Sequence, residues 1–354
     1  MTLRENLLKT LRREGYSSVP LELSLSPFQI EKFRKKYNTD DYLSFFNVPV
    51  RGVWIGFKKT SKNSKLLFKN EELPEDTFID EWGVGYSSGS KEAMHMKRMH
   101  HPLKGDINID DVKNYPYPVI DNDSLFSVKK ECEELKQKGL SPMGILNCSV
   151  WETAWYIRGM EDLMVDMLNN DLKAKILLEN VTKISEKRAY FYALAGVDIL
   201  HLGDDIGTQN SIMMSVDLWK EWIKERLHRI IISAKRVNQD ILIYYHSDGY
   251  IIPFIEDLIE TGIDILNPIQ PECMDFYEVV KLTKGRLSYW GTIGTQTTLP
   301  FGTPEDVKKV IYENVKLCGD EGGLVIAPTH LVEPEVPFEN ILALKEGVEE
   351  CSKK

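Results

Sequence analysis

The stretch ILIYYHSDGYIIPFIEDLIETGIDILNPIQ, residues 241–270, decides the fold. The short apolar run at 241–245 reads as a strand, and His246, Asp248 and Gly249 interrupt it. A helical pattern follows at 251–260, then a second short apolar run at 264–268. Strand, helix, strand in that order implies two parallel strands joined by a crossover helix.

The same unit continues outward in both directions. Apolar runs at 142–147, 197–203, 287–291 and 323–327 read as further strands. Helical patterns lie at 152–169, 172–195, 216–237, 276–283, 304–317 and 338–349. Ser215 and Thr303 precede two of them as caps, and Pro304 takes a first-turn position. Six strands, a short one at 77–84 and an obscure one nearer the N-terminus predict an α/β fold, a (β/α)₈ TIM barrel. The chain reads as one domain over 1–354, with the barrel at 76–354. Residues 1–75 form a helical extension packed on it. That extension holds the breakers Pro20, Pro27 and Pro49 and an amphipathic helix with Leu3, Leu7, Leu8 and Leu11 on one side. KKTSKNSK at 58–65 reads as an exposed loop, and 86–123 as loops over the barrel. An open, doubly wound sheet is disfavoured because no glycine-rich phosphate loop follows any strand. GVGYSSG at 83–89 has the wrong spacing and no helix pattern after it.

Composition narrows the partners. The chain has 354 residues, 42% hydrophobic and 28% charged, the balance of a soluble globular protein. Its net charge of −10 argues against nucleic acid, which requires a basic face. Five scattered cysteines without a CxxC pair suggest no disulfide framework, hence a reducing, cytoplasmic setting. The charged N-terminus does not read as a signal peptide, and no apolar run is long enough for a membrane span.

Active-site groups of a barrel come from the carboxyl ends of its strands. Here ionisable and aromatic residues gather at those ends. Asp80, Glu81 and Trp82 follow the 77–79 run; Cys148, Trp151 and Glu152 follow 142–147; Asp204 and Asp205 follow 197–203. His246 and Asp248 follow 241–245; Gln270, Glu272 and Cys273 follow 264–268; Thr329 and His330 follow 323–327. Asp204–Asp205 ahead of Gly207 also fits plain turn chemistry. Of the pair, Asp204 is expected to face the mouth and Asp205 to fix the turn. The i, i+2 spacing points His246 and Asp248 the same way. They read either as a metal site completed by His330, with a position left open as in catalytic zinc, or as a hydrogen-bonded pair without metal. His100 and His101 lie in an irregular segment and read as non-catalytic.

The stretches IDEWGV (79–84), GILNCSVWETAWYIRGMEDL (144–163), LHLGDDIGTQ (200–209), YHSDGYIIPFIEDLIETGIDILNPIQ (245–270), WGTIGTQTTLPFGTPEDV (290–307) and IAPTHLVEPEVPFENI (326–341) resemble the uroporphyrinogen decarboxylase superfamily. That superfamily also includes methyltransferases acting on corrinoid proteins. The resemblance implies a barrel enzyme. In it, Asp80 resembles the decarboxylase's catalytic aspartate, Tyr156 its substrate tyrosine and His330 its late histidine. The decarboxylase's N-terminal arginine motif is missing from residues 20–45, so a polyanionic porphyrinogen lacks its cationic partners. The methyltransferase branch binds zinc through a His-x-Cys pair and a later cysteine. The matching positions here are His246, Asp248 and His330. The resemblance therefore implies a methyltransferase moving a methyl group between a small methoxylated or methylamine-like donor and a partner corrinoid protein. Zinc is the expected metal, and a homodimer is left open. Asp80, Glu152 and Asp204 are the expected catalytic groups; Trp82, Trp151, Tyr156, Asp205 and Gln270 the expected substrate contacts. The alternatives are a decarboxylase for a non-porphyrinogen substrate and a non-catalytic corrinoid- or tetrapyrrole-binding barrel.

Overall fold

A computed structural model describes residues 1–58, 67–68, 71–89 and 97–352. The expected 58–65 loop lies almost wholly outside them. Ten strands are described, in two sheets. The larger is parallel and seven-stranded, in the order β1 (Val50–Val53), β5 (Ser141–Cys148), β6 (Ile199–Gly203), β7 (Leu242–His246), β8 (Ile265–Asn267), β9 (Ser288–Trp290), β10 (Leu324–Val325). The smaller is antiparallel: β2 (Phe78–Ile79), β3 (Gly85–Ser88) and β4 (Lys97–His100). The sheet curls as a half-barrel with helices packed on it. All six strands expected from 142 to 327 are present, and their sequence order is their order in the sheet, as right-handed crossovers give.

Three expectations are corrected. The 77–84 run is not a strand of the parallel sheet; its first residues pair within the small antiparallel sheet. The parallel edge strand is Val50–Val53, which supplies a strand nearer the N-terminus but lies before residue 76, where the barrel was expected to start. The segment 86–123, expected as loops, contains β3, β4 and the helix Ile109–Lys113.

The N-terminal stretch is stitched to the sheet. Leu21 bridges Ile326 and Leu25 bridges Val332, both in parallel, so residues 21–25 run beside β10 as a ragged eighth element. Leu21, Leu23 and Leu25 alternate into the core, as strand pleating requires. The helix Leu3–Leu11 starts with a Thr2–Glu5 capping box and buries Leu7, Leu8 and Leu11, while Leu3 stays exposed. The helix expected over 152–169 breaks at Gly159 into Trp151–Arg158 and Met160–Leu168; that over 172–195 is one helix, Leu172–Ala195. Among the described residues no helix is long and apolar enough to cross a membrane, and all five cysteines are free thiols.

Candidate functional site

The carboxyl ends of β6 and β7, with the turns that follow, build a compact polar site. One ligand atom from each of Asp205, His246 and Asp248 lies within 4.8 Å of the others. His246 Nε2 is 3.8 Å from a carboxylate oxygen of Asp205 and 3.8 Å from one of Asp248. The backbone N–H of Asp248 donates to Asp205 at 2.8 Å, and Tyr250 N donates to Thr208 O at 2.8 Å, which locks the two turns together. Close backbone approach allows this: at Gly249, with φ +83, a Cβ would fall 2.5 Å from Thr208 O.

Asp204 and Asp205 point opposite ways, as neighbours on extended chain must, but in the reverse sense to the expectation. Asp204 is fully buried. Its carboxylate accepts from Val150 N at 3.0 Å and Glu152 N at 2.9 Å, capping the first turn of the helix Trp151–Arg158. Burial, then the charge of Glu152, pushes its carboxyl well above the usual range. Asp205, half-buried, faces His246.

The capped helix presents Glu152 and Tyr156 to the same site. Glu152 accepts from the Tyr156 hydroxyl at 2.7 Å and from Asp205 N at 3.1 Å. Burial, followed by the charge of Asp205, raises the Glu152 carboxyl. Cys148 Sγ is 3.6 Å from the Tyr156 hydroxyl, and burial holds it as a thiol. Asp80 accepts from Val84 N at 2.9 Å and from the Tyr86 hydroxyl at 3.2 Å; burial raises it too. The charge of Glu152 reaches Tyr86, so Asp80 and Tyr86 lie within the electrostatic range of this group.

Other expected residues lie outside the three-residue cluster. His330 is exposed and outside the three-residue cluster, near enough for its charge to reach Asp248. Trp151 is fully buried, its indole N–H unpartnered, so it belongs to the core. Gln270 is buried and accepts from Gly249 N at 3.1 Å, bracing the turn after β7. Trp82 is half-buried against Phe57, ring centroids 5.8 Å apart. Glu272 accepts from Thr297 at 2.7 Å. His100 is held between Ser87 and Glu71 in the small sheet. The sequence reading missed Asn267 and Tyr86. ILNPIQ offers no periodic cue for Asn267, while the alternation IDEWGVGY could have flagged Tyr86.

A parallel sheet with ionisable groups gathered beyond the carboxyl ends of its strands defines an α/β protein of the barrel-like enzyme class. The chain belongs to the uroporphyrinogen decarboxylase (URO-D) family, which matches residues 92–351. It is similar in fold to a methyltransferase from Methanosarcina mazei: 17% identity, TM-score 0.70, 99% of each chain covered. The likeness to xylanase 10B from Thermotoga maritima is too loose to argue from, with 13% identity and a TM-score of 0.45 over 100% of this chain and 99% of that one. Among curated proteins, none matches the chain.

Proposed function

We propose that the chain is a metal-assisted methyltransferase that takes a methyl group from a small methoxylated or methylamine-like donor and passes it to a corrinoid protein. The observation that carries this is the convergence of Asp205, His246 and Asp248 at the strand ends. Two carboxylates and an imidazole are a hard nitrogen and oxygen donor set that suits zinc or a similar divalent ion. Asp205 replaces His330 as third ligand in this reading. Such an ion, when bound, supplies Lewis acidity toward the donor's heteroatom.

The chain's own groups do the rest. Glu152, its carboxyl raised by burial, holds a proton at a higher pH than a free carboxylate and delivers it to the heteroatom that loses the methyl. Tyr156 orients Glu152 through their hydrogen bond. Asp80 and Tyr86 line the same side and orient the donor. The test is elemental analysis of protein purified without chelator, with a methyl-transfer assay using methylcobalamin and a phenolate acceptor. About one divalent ion per chain and turnover lost with chelator are expected; full turnover by metal-free protein sinks the reading. One observation favours a second reading, a decarboxylase: Asp80 is a half-buried carboxyl with a raised pKa held by Tyr86. That chemistry needs no ion, so the same chelation experiment separates the two.

A further inference from the structure

Three residues stand side by side in register at the carboxyl ends of neighbouring strands: Gly203 on β6, His246 on β7 and Asn267 on β8. Gly203 lets the two strands approach closely at His246, since a Cβ there would lie 2.9 Å from the Cβ and carbonyl oxygen of His246. On the other side, Asn267 Oδ1 lies 2.6 Å from His246 Nδ1. The far end of Asn267 fixes which end of its amide is the oxygen. That end is 2.9 Å from the carbonyl oxygen of Trp290, which can only accept. It must therefore be the NH₂ group. The end facing His246 is then the oxygen, and Nδ1 must carry a hydrogen to meet it.

We propose that Asn267 is a positioning residue: it fixes His246 as the Nδ1–H tautomer and turns the lone pair of Nε2 toward Asp205 and Asp248. A ligating histidine whose second nitrogen donates to a fixed acceptor is held in both tautomer and ring orientation. Asn267 is itself immobilised. It is buried, and at Gly291 a Cβ would fall 2.8 Å from its Nδ2, so the neighbouring strand end closes over it. The metal half of this inference rests on the reading proposed above; the tautomer half does not.

The experiment has two arms on the full chain. In the first, long-range ¹H–¹⁵N NMR reads the tautomer of His246 at a pH where the ring is neutral, with His246→Ala identifying the signal. The Nδ1–H form is expected in the wild type and a mixture in Asn267→Leu. A wild-type Nε2–H form overturns the proposal, and so does a tautomer unchanged in Asn267→Leu. In the second, calorimetry measures Zn²⁺ binding to chelator-stripped protein. Asn267→Leu should bind about 10–100-fold more weakly. Asn267→Asp keeps an acceptor toward Nδ1 and should recover most of that loss; a merely structural role predicts no such rescue. Equal Zn²⁺ affinity in wild type and Asn267→Leu overturns the proposal while leaving the metal site standing. A wild type in the Nδ1–H form that binds no Zn²⁺ supports the positioning role and sinks the metal reading alone. If Asn267→Leu does not fold, the wild-type tautomer still decides.

Discussion

Asp204 and Asp205 are adjacent, chemically identical and separated by role through orientation alone. Asp204 satisfies two buried N–H groups at a helix start. Asp204→Ala should orphan both and cost about 2–6 kcal/mol of stability, at about 1–3 kcal/mol for each buried donor left unpaired. Urea denaturation checks this, and a loss below about 1 kcal/mol would contradict the capping role. Asp205→Ala leaves only the N–H of Asp248 and Glu152's neighbourhood to readjust, so it should cost far less stability yet weaken metal binding strongly. The sequence showed the pair at a strand end but not which member turns inward. Extended backbone fixes only that they oppose each other; the phase depends on β6 pairing with β7. His246 and Asp248 were legible because two-residue spacing survives any choice of phase. Asn267 was not, because its role exists only through register with strands far away in the chain.

At the level of elements, LELSLS at 21–26 carried a strand-like alternation that was submerged in a stretch read as helical and irregular. Proline on both sides and a length of two bridges kept the signal small. Here lies Glu22, whose carboxylate accepts from the indole N–H of Trp290 at 3.4 Å. Burial raises the Glu22 carboxyl. The sign follows from linkage: a folded-state pKa above the unfolded one means the folded chain retains the proton longer. Glu22 therefore contributes full stability below about pH 4.5, and that contribution fades as pH rises through the raised folded value. Glu22→Gln keeps an acceptor for Trp290 and cannot ionise. Its stability advantage over wild type, read from denaturation midpoints between pH 4.5 and 8, should grow with pH. A constant difference across that range would mean that Glu22 does not titrate between the two states. The six strands from 142 to 327 were legible for the opposite reason: each is a short apolar run bounded by a helix long enough to show its own period.

Across the whole molecule, the two ends of the parallel sheet carry different duties. Around Asp80, Glu152, Asp204 and Asp248 the charges that act, among the described residues, are those of carboxylates and histidines, with no lysine or arginine. Uroporphyrinogen, a polycarboxylate, would find no cationic partner among those described groups. Its decarboxylation should be negligible, and turnover comparable to a dedicated decarboxylase would overturn that expectation. The opposite end is closed by the N-terminal helix, whose role as an extension packed on the sheet was legible but whose fastenings were not. Thr10 O accepts from Gly323 N just before β10, and Leu11 O accepts from Ser288 Oγ at the start of β9. Arg4 grips Asp198, just ahead of β6, through two bonds of 2.7 and 2.8 Å, and Asp198 also accepts from Ser141 at the start of β5. A bidentate pair of this kind is the stronger sort of ion pair, but Arg4 keeps 28% of its side-chain exposure, so solvent screens it. Lys136, 3.5 Å from Asp198, compensates part of its loss. Arg4→Ala should therefore cost only about 1–2 kcal/mol. Because the strands separate this fastening from the site, the same variant should leave Zn²⁺ affinity and methyl transfer at wild-type levels when assayed well below its melting temperature. Calorimetry and the methyl-transfer assay on one preparation decide it: a fall in stability with unchanged metal affinity fits a purely structural closure, whereas a several-fold fall in affinity would mean that the N-terminal helix and the strand-end site are coupled through the sheet.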